Sequence, residues 1–561
     1  MNSWFTGTFC FFATCFVSGA LAQSSCSFST YLGGTQSDEV KSVLNDAKKN
    51  TYVFGNTYSP DLPVSPGLIN DSYSGSYDAF LAKFDSCGSL VWCTYLGGPN
   101  FDSAEKMALT TDGNLILCGY TNSLNTFTTS GCFQSNHGGG YDAFISKVDT
   151  SGHLLWSSLF GKAGGDFAYD ICVDKLNNII VGGTTSSTGL YTVAGTSFQV
   201  NLKGNTDAFI ARFSPAGMLA WCTYYGGNNS EDIHVVTTDA NCHIIGAGGS
   251  FSTNLNTSPG AHQSLNDGGV DGYIIKLDSN GTRVFSSYLG GSGVDDIWGV
   301  ACDAASNIYL AGHTNSTDFD TTAGAFQVLN KGLSDLYLSK WSPGGSLLQC
   351  TLFGGSQTEL LGRMLLSGPY EVTLGGKTES ADIAMSGNSL QPALAGSYDL
   401  LFVKFDTGTL MPVWSSYYGG AQDEELFDLT GDMGHFMTFA GSSNSSDFPL
   451  SPVAYQQSLN ASSVDGYVAR LNVGNQVTTA LLEQKKNTGS FRAFPNPFSD
   501  VIHLESAGLT SVALYDIAGR NMFPDIKPSD LSILNTSAMA PGMYFLVFTD
   551  AQGRHCVKMC H

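Results

Sequence analysis

The sequence predicts an all-β chain, a seven-bladed β-propeller followed by a small C-terminal β-sandwich. Three observations carry this. A short motif ending in Gly-Gly recurs seven times, every 64 or 65 residues. Each interval holds four short β-type runs parted by turn signals. The period then stops near residue 473, and a different β pattern takes over.

The motif reads YLGG at 31–34 and 95–98, LFGK at 159–162, YYGG at 224–227, YLGG at 288–291, LFGG at 352–355 and YYGG at 417–420. Its first glycines are Gly33, Gly97, Gly161, Gly226, Gly290, Gly354 and Gly419. Five residues later stands an acid: Asp38, Asp102, Asp166, Glu231, Asp295, Glu359 and Glu424. Each unit also opens one strand-like run with an Asp, at Asp78, Asp142, Asp207, Asp271, Asp335, Asp399 and Asp465. Six units carry a Gln, at Gln134, Gln199, Gln263, Gln327, Gln391 and Gln456, where the first unit has Ile69. An even period of this length is the mark of a repeat architecture.

The fifth unit shows the four strands: IWGVACD at 297–303, IYLAGHT at 308–314, LYLSKWS at 336–342 and LLQCTLFGG at 347–355. No long apolar period of 3.6 residues runs through this region, so helix is a poor reading. Four antiparallel strands repeated radially form a propeller blade. A lone four-stranded sheet cannot bury its faces, whereas stacking between two neighbours buries both. A parallel β-helix is the competitor, but its coils are shorter and need no fixed count. The ends favour a ring. CSFSTYLGG at 26–34 matches a fourth strand with no preceding three, and the last unit stops at DGYVARLN, 465–472, without a fourth. The N-terminal strand is expected to complete the last blade and remove its raw edge.

The repeated acids and glutamines have two readings. In the structural one, Asp at a strand start accepts backbone N–H bonds in a turn, and a buried Gln bridges neighbouring blades. In the functional one, a ring of carboxylates binds cations such as calcium through oxygen ligands. Repetition in every unit favours the first.

Residues 1–22 read as an export signal, apolar and uncharged, with Ala20-Leu21-Ala22 as the cleavage pattern and no basic n-region. No later segment approaches 18 continuous apolar residues, so no transmembrane segment is expected. The net charge of −23, from 48 acids and 25 bases, argues against a nucleic-acid partner. Cys93, Cys222 and Cys350 share one register, and Cys118, Cys172, Cys242 and Cys302 are read inside strands as small buried hydrophobes.

After a linker at 474–490, residues 491–561 follow another grammar: FRAFPNPFSDVIHLES, SVALYDIAGRNM and LNTSAMAPGMYFLVFTDAQGRHCVKM. Short runs divided by turn residues suggest the small sandwich. Both parts resemble known families. The unit DAFLAKFDSCGSLVWCTYLGG, with DFPLSPVAYQ near the last unit, is similar to the seven-bladed β-propeller repeat family SBBP over about residues 28–472. The tail resembles the type A C-terminal sorting domain of the Bacteroidota type IX secretion system. The residues that carry this are Pro495, Asn496 and Pro497, then Tyr515, Asp516, Gly519 and Arg520, then Pro541, Gly542 and Tyr544. That resemblance implies type IX machinery as a partner, and a secreted or cell-surface location.

No catalytic, metal-ligating or cofactor-binding set stands out, and no cofactor is expected. There is no H-E-x-x-H, no G-x-S-x-G and no phosphate loop. The leading functional reading is a secreted or cell-surface scaffold that binds a protein or glycan on a loop face. Tyr191, outside the repeated register, is the freest loop aromatic, while Phe198 and Tyr455 fall within it. The alternatives are a glycan-active hydrolase or lyase using carboxylates at the channel, and a purely structural surface or matrix component. An enzyme should set two acids, or an acid and a His, within reach at the channel where the repeat is broken. A binder should cluster aromatics or amides around an intact core.

Overall fold

A computed structural model describes residues 27–473, apart from loop positions 125–126, 194, 196, 369, 432–435 and 461–463, and seven strand segments between 492 and 560. The expected export signal and the 474–490 linker lie outside the described residues, as do Pro495, Asn496, Pro497, Gly519, Arg520, Pro541 and Gly542.

The first compact unit contains seven four-stranded antiparallel sheets. Blade one runs Asp38–Asn45, Thr51–Thr57, Asp78–Phe84 and Leu90–Leu96 in simple meander order. Blades two to six repeat this, each opening on the acid after Gly-Gly except blade four, whose regular inner strand begins at Val235. Blade seven is composite. Glu424–Gly431, Phe436–Ser443 and Asp465–Asn472 come from the end of the repeat region, and Phe28–Leu32 supplies the fourth strand. That strand pairs antiparallel from Phe28↔Arg470 to Leu32↔Gly466. The last blade thus has its full four strands, with Phe28–Leu32 outermost.

Burial explains the sequence pattern. The second strand of a blade lies between both neighbouring sheets. Thr51–Thr57, Ile179–Thr185 and Ile244–Ser250 are buried at every residue, which is why they read as continuous β-type runs rather than as alternations. Outer strands begin at the rim and turn inward, as in Leu90–Leu96, where only the first two positions reach solvent. Tight hairpins join the strands. At Gly88 the backbone takes φ +87° and an added Cβ would meet the Phe28 ring at 2.6 Å. Cys242 corrects the expectation that placed it in a strand. It sits in the hairpin turn ahead of Ile244–Ser250 with φ +60°.

The second compact unit, residues 479–561, is all β in its described segments. One sheet joins Arg492–Phe494, Val501–Glu505 and Ile533–Asn535. The other joins Asn521–Ile526, Ser511–Asp516, Met543–Asp550 and Gly553–Cys560. Tyr515 and Asp516 end one strand of it, and Asp516 pairs with Tyr544 on the next. Among the described residues no helix is long and apolar enough to cross a membrane.

Candidate ligand site at the channel mouth

The repeated residues meet at the blade junctions. The Asp that opens a blade's third strand and the acid that opens the next blade's inner strand converge on the glycine between them. An added Cβ on Gly33, Gly97, Gly161, Gly354 or Gly419 would lie 2.3–3.2 Å from both carboxyl groups. On Gly226 or Gly290 it would lie within 2.6 Å of the Asp207 or Asp271 carboxyl. The glycine is required because two carboxylates fill its side-chain space.

Each carboxylate is held by donors. Asp142 Oδ2 accepts Nε2–H of Gln134 at 2.8 Å and N–H of Gly138 at 2.7 Å. Asp166 Oδ2 accepts N–H of Lys162 and the Ser187 hydroxyl, both at 2.7 Å. Gln134 Oε1 accepts N–H of Gly161 at 3.0 Å. The Gln therefore ties a loop, a strand and the glycine of its own blade together. The acid pair spans neighbouring blades, and Gln134 does so as well, by accepting the Tyr191 hydroxyl from blade three at 2.8 Å. The second glycine makes a similar close approach. A Cβ on Gly34 would meet Asp61 at 2.5 Å. In the third unit Lys162 stands there, and the position matching Asp61 is Gly189.

Burial, the leading cause, raises the carboxyls of Asp38, Asp78 and Asp271 to about 6 and that of Glu424 to about 7. A folded-state value above the unfolded value means that stability is fully present below the unfolded value, about 4, and falls as pH rises through the folded one. The melting temperature is expected to be higher near pH 5 than near pH 7.5. Asp428 and Asp296, held low by neighbouring bases, oppose this only below the usual carboxylate range. A melting temperature that rises steadily from about pH 5 to about pH 7.5 would refute the assignment. Among the described residues no group of three or more His, Cys, Asp or Glu is placed to hold a metal ion.

The functional asymmetry is elsewhere. In six blades the inner strand carries a β-bulge three residues after its acid, leaving Lys41, Glu105, Tyr169, Trp298, Gly362 and Phe427 out of register. In blade four His234 takes the same place, just before the regular strand. Bulges re-aim a side chain, and here they turn seven equivalent positions toward one cavity. It measures about 480 Å³, and all seven of these residues line it.

The next position along each strand forms the floor. Lys106 pairs with Asp428, Arg363 Nη2 lies 2.9 Å from Asp170 Oδ1, and Arg363 Nε lies 3.6 Å from Asp428 Oδ1. Blades two, three, six and seven are thus bonded across the channel. Burial pushes the Asp428 carboxyl up, but Lys106 and Arg363 outweigh it and hold it low. Asp428 Oδ2 also accepts the Ser42 hydroxyl at 2.9 Å and N–H of Val43 at 2.8 Å.

Above this floor the cavity has one acid–imidazole pair. His234 Nδ1 lies 3.3 Å from Asp296 Oδ1 and 3.3 Å from the Ile297 carbonyl, so Nδ1 carries the proton and donates. Trp298 stacks on the His234 ring at 4.0 Å and donates Nε1–H to Asp296 Oδ2 at 3.2 Å. Burial lowers the His234 imidazole, but Asp296 outweighs it and the net shift is upward. Glu105 is pushed up to about 7 by burial, against the charge of Lys41. Lys41 Nζ sits 3.8 Å above the Phe427 ring, and Lys377 pairs with Glu425.

Of the loop aromatics, Tyr191 departs from expectation, while Phe198 and Tyr455 pack as their place in the register implies. Tyr191 is a packing residue. Its hydroxyl donates to Gln134 Oε1 at 2.8 Å, its ring packs on Phe133 at 4.8 Å, and Lys162 lies 3.7 Å above it. Phe198 packs on Tyr225 at 6.0 Å and Tyr455 on Phe84 at 6.2 Å. The channel ring was missed because no residue type recurs there. Its signal is a position eight residues after each first glycine that differs in every unit inside a constant frame.

Seven meander sheets closed in a ring by the N-terminal strand define a seven-bladed β-propeller. The chain carries the SBBP beta-propeller repeat, matched at residues 284–320, and ends in a secretion system C-terminal sorting domain, matched at residues 492–560. It is therefore a type IX secretion substrate, exported to the cell surface or released. Curated relatives include an uncharacterized WD repeat-containing protein of Acanthamoeba polyphaga mimivirus, 26% identical over 250 residues, covering 40% of this chain and 17% of that protein. Another is the regulatory protein FlaEY of Caulobacter vibrioides, 25% identical over 272 residues, covering 46% of this chain and 28% of that one. The chain thus matches less than a third of either relative's length. Among solved structures, a copper-containing fungal alcohol oxidase aligns over 95% of this chain and 98% of its own, at 10% identity and a TM-score of 0.38. PorZ of the Porphyromonas gingivalis type IX system aligns over 93% of this chain and 81% of its own, at 11% identity and a TM-score of 0.21.

Proposed function

We propose that this exported propeller binds a glycan, holding one end or one unit of it in the cavity at the channel mouth. In this reading residues 1–22 are an export signal, 23–473 the binding propeller, 474–490 a linker and 491–561 the sorting domain that engages the type IX machinery. The observation that carries the binding role is the bulge ring: seven equivalent positions, seven different side chains, one cavity. Its content suits a sugar. Tyr169, Trp298 and Phe427 offer ring faces to C–H surfaces, and Glu105, His234 and Lys41 offer polar groups to hydroxyls. A cavity of about 480 Å³ matches a small ligand, whereas a protein partner would need a broad complementary surface.

A glycan-array screen of the secreted protein, followed by calorimetry, tests this. Saturable binding is expected, weakened about tenfold or more by Trp298→Ala with the melting temperature unchanged. Absence of any saturable glycan binding would remove the proposal. The hydrolase or lyase reading is favoured by the His234–Asp296 pair and by Glu105, whose carboxyl burial pushes up to about 7 in the same cavity. Turnover of a bound glycan, abolished in His234→Ala and Glu105→Gln while binding persists, would establish it.

A further inference from the structure

The cavity does not end at the channel. A continuous run of aromatic rings leads from it across the same face over blades three, two and one. Tyr169, a cavity residue, lies 6.3 Å from Phe167, which lies 4.9 Å from Tyr120. Tyr120 lies 6.1 Å from Phe101, Phe101 4.5 Å from Tyr77, and Tyr77 4.5 Å from Tyr58. Five of these rings are half-buried, and Tyr58 at the far end is 44% exposed, so each keeps surface toward solvent.

The fold does not require this run. Phe101 corresponds to Gly165 and Ser230 in the next two units, Tyr77 to Thr206 and Ser334, and Tyr120 to Thr184 and Gly249. Three blades have departed from the repeat together, along a line continuous with the cavity. Three acids, Glu39, Glu105 and Asp232, and one base, Lys41, stand beside the line. Glu39 and Glu105 lie near Tyr77 and Tyr120, and Asp232 and Glu105 near Tyr169; after burial, their charges help to raise those phenols.

We infer that this aromatic run is a track for a neutral polysaccharide chain whose end or side unit occupies the channel cavity. The inference rests on the glycan reading of that cavity and adds the ligand's form: a polymer without acidic groups. The rings follow one another at about the width of a sugar ring, so their exposed parts can pack against successive units. Carboxylates along the track repel uronic or sulfated chains and accept hydrogen bonds from neutral ones.

The test uses the secreted full-length protein and cello-, xylo-, manno- and chito-oligosaccharides of about two to seven units, with alginate and heparin as anionic contrasts. Within the series that binds, affinity is expected to climb on the order of tenfold or more from the shortest to the longest member. Tyr120→Ala should flatten this climb while leaving the shortest member's affinity unchanged. Tyr58→Ala, at an exposed position whose loss leaves the core intact, should weaken only the longest members. Trp298→Ala should weaken all lengths alike. Equal affinity at every length, or preference for alginate or heparin, would overturn the track and leave the cavity reading standing. No binding of any oligosaccharide would overturn both.

Discussion

Deleting residues 27–32 is expected to abolish the cooperatively folded propeller. The deletion removes the fourth strand of blade seven and leaves Asp465–Asn472 as an unpaired edge. Phe28, Tyr31 and Leu32 are 2%, 0% and 0% exposed. At about 1.5–3 kcal/mol for each fully buried large side chain, their loss amounts to roughly 5–9 kcal/mol. A domain's net stability is only about 5–15 kcal/mol. Further bonds go with the strand. The Tyr31 hydroxyl donates to the Ser445 carbonyl, and the Thr30 hydroxyl accepts N–H of Gln456 at 2.9 Å. Thermal unfolding and size-exclusion chromatography give the readout: no cooperative transition, and soluble aggregates formed through the open edge. A peptide of residues 26–34 added in trans should restore part of the transition. A deletion variant melting within a few degrees of the parent would show that the strand is dispensable.

The second large effect is expected from one methyl group. In Gly354→Ala the new Cβ falls 2.3 Å from Asp335 Oδ1 and 2.5 Å from Glu359 Oε2. Neither carboxylate can yield freely. Asp335 Oδ2 accepts from Gln327 and from N–H of Lys331, and Glu359 accepts N–H of Gly355 at 2.8 Å and the Thr378 hydroxyl at 2.7 Å. Overpacking against a fixed, hydrogen-bonded pair is expected to cost about 3 kcal/mol or more, read as a lowered urea midpoint. Gly344→Ala is the control. A Cβ there meets nothing within 4 Å, so the change should be neutral or slightly stabilising. Equal stability of the two variants would mean that the junction acids move aside without penalty.

These two cases show what the chain discloses before folding. The blade count, the strand runs and the unmatched fourth strand at 26–34 were legible because packing imposes the same residue types at fixed intervals. The acid pairs were visible as two separate periodic features, but their meeting at one glycine was not. Asp142 and Asp166 stand in different blades, and only the junction brings them together around Gly161. The Gln, expected to tie neighbouring blades, does so at Gln134 through the Tyr191 hydroxyl, but it also ties its loop to the strand and glycine of its own blade, which the repeat does not disclose. The channel ring was hidden for the opposite reason. A self-comparison finds what recurs, and Lys41, Glu105, Tyr169, His234, Trp298, Gly362 and Phe427 do not. The bulges also break strand alternation, so the inward turn of these side chains could not be read from period. Tyr191 lies off the register, where Lys162 covers its ring and its hydroxyl donates to Gln134.

The composite seventh blade also fixes an order of events in time. Its bonds join parts of the chain as far apart as Thr30 and Gln456, 426 positions along. Whichever end of the repeat region is made first must wait, its pairing unsatisfied, until the other is present. Contacts of such long sequence separation form late and slowly. Ring closure is therefore a late step of folding, and a chain that lacks Phe28–Leu32 keeps Asp465–Asn472 without its outer neighbour.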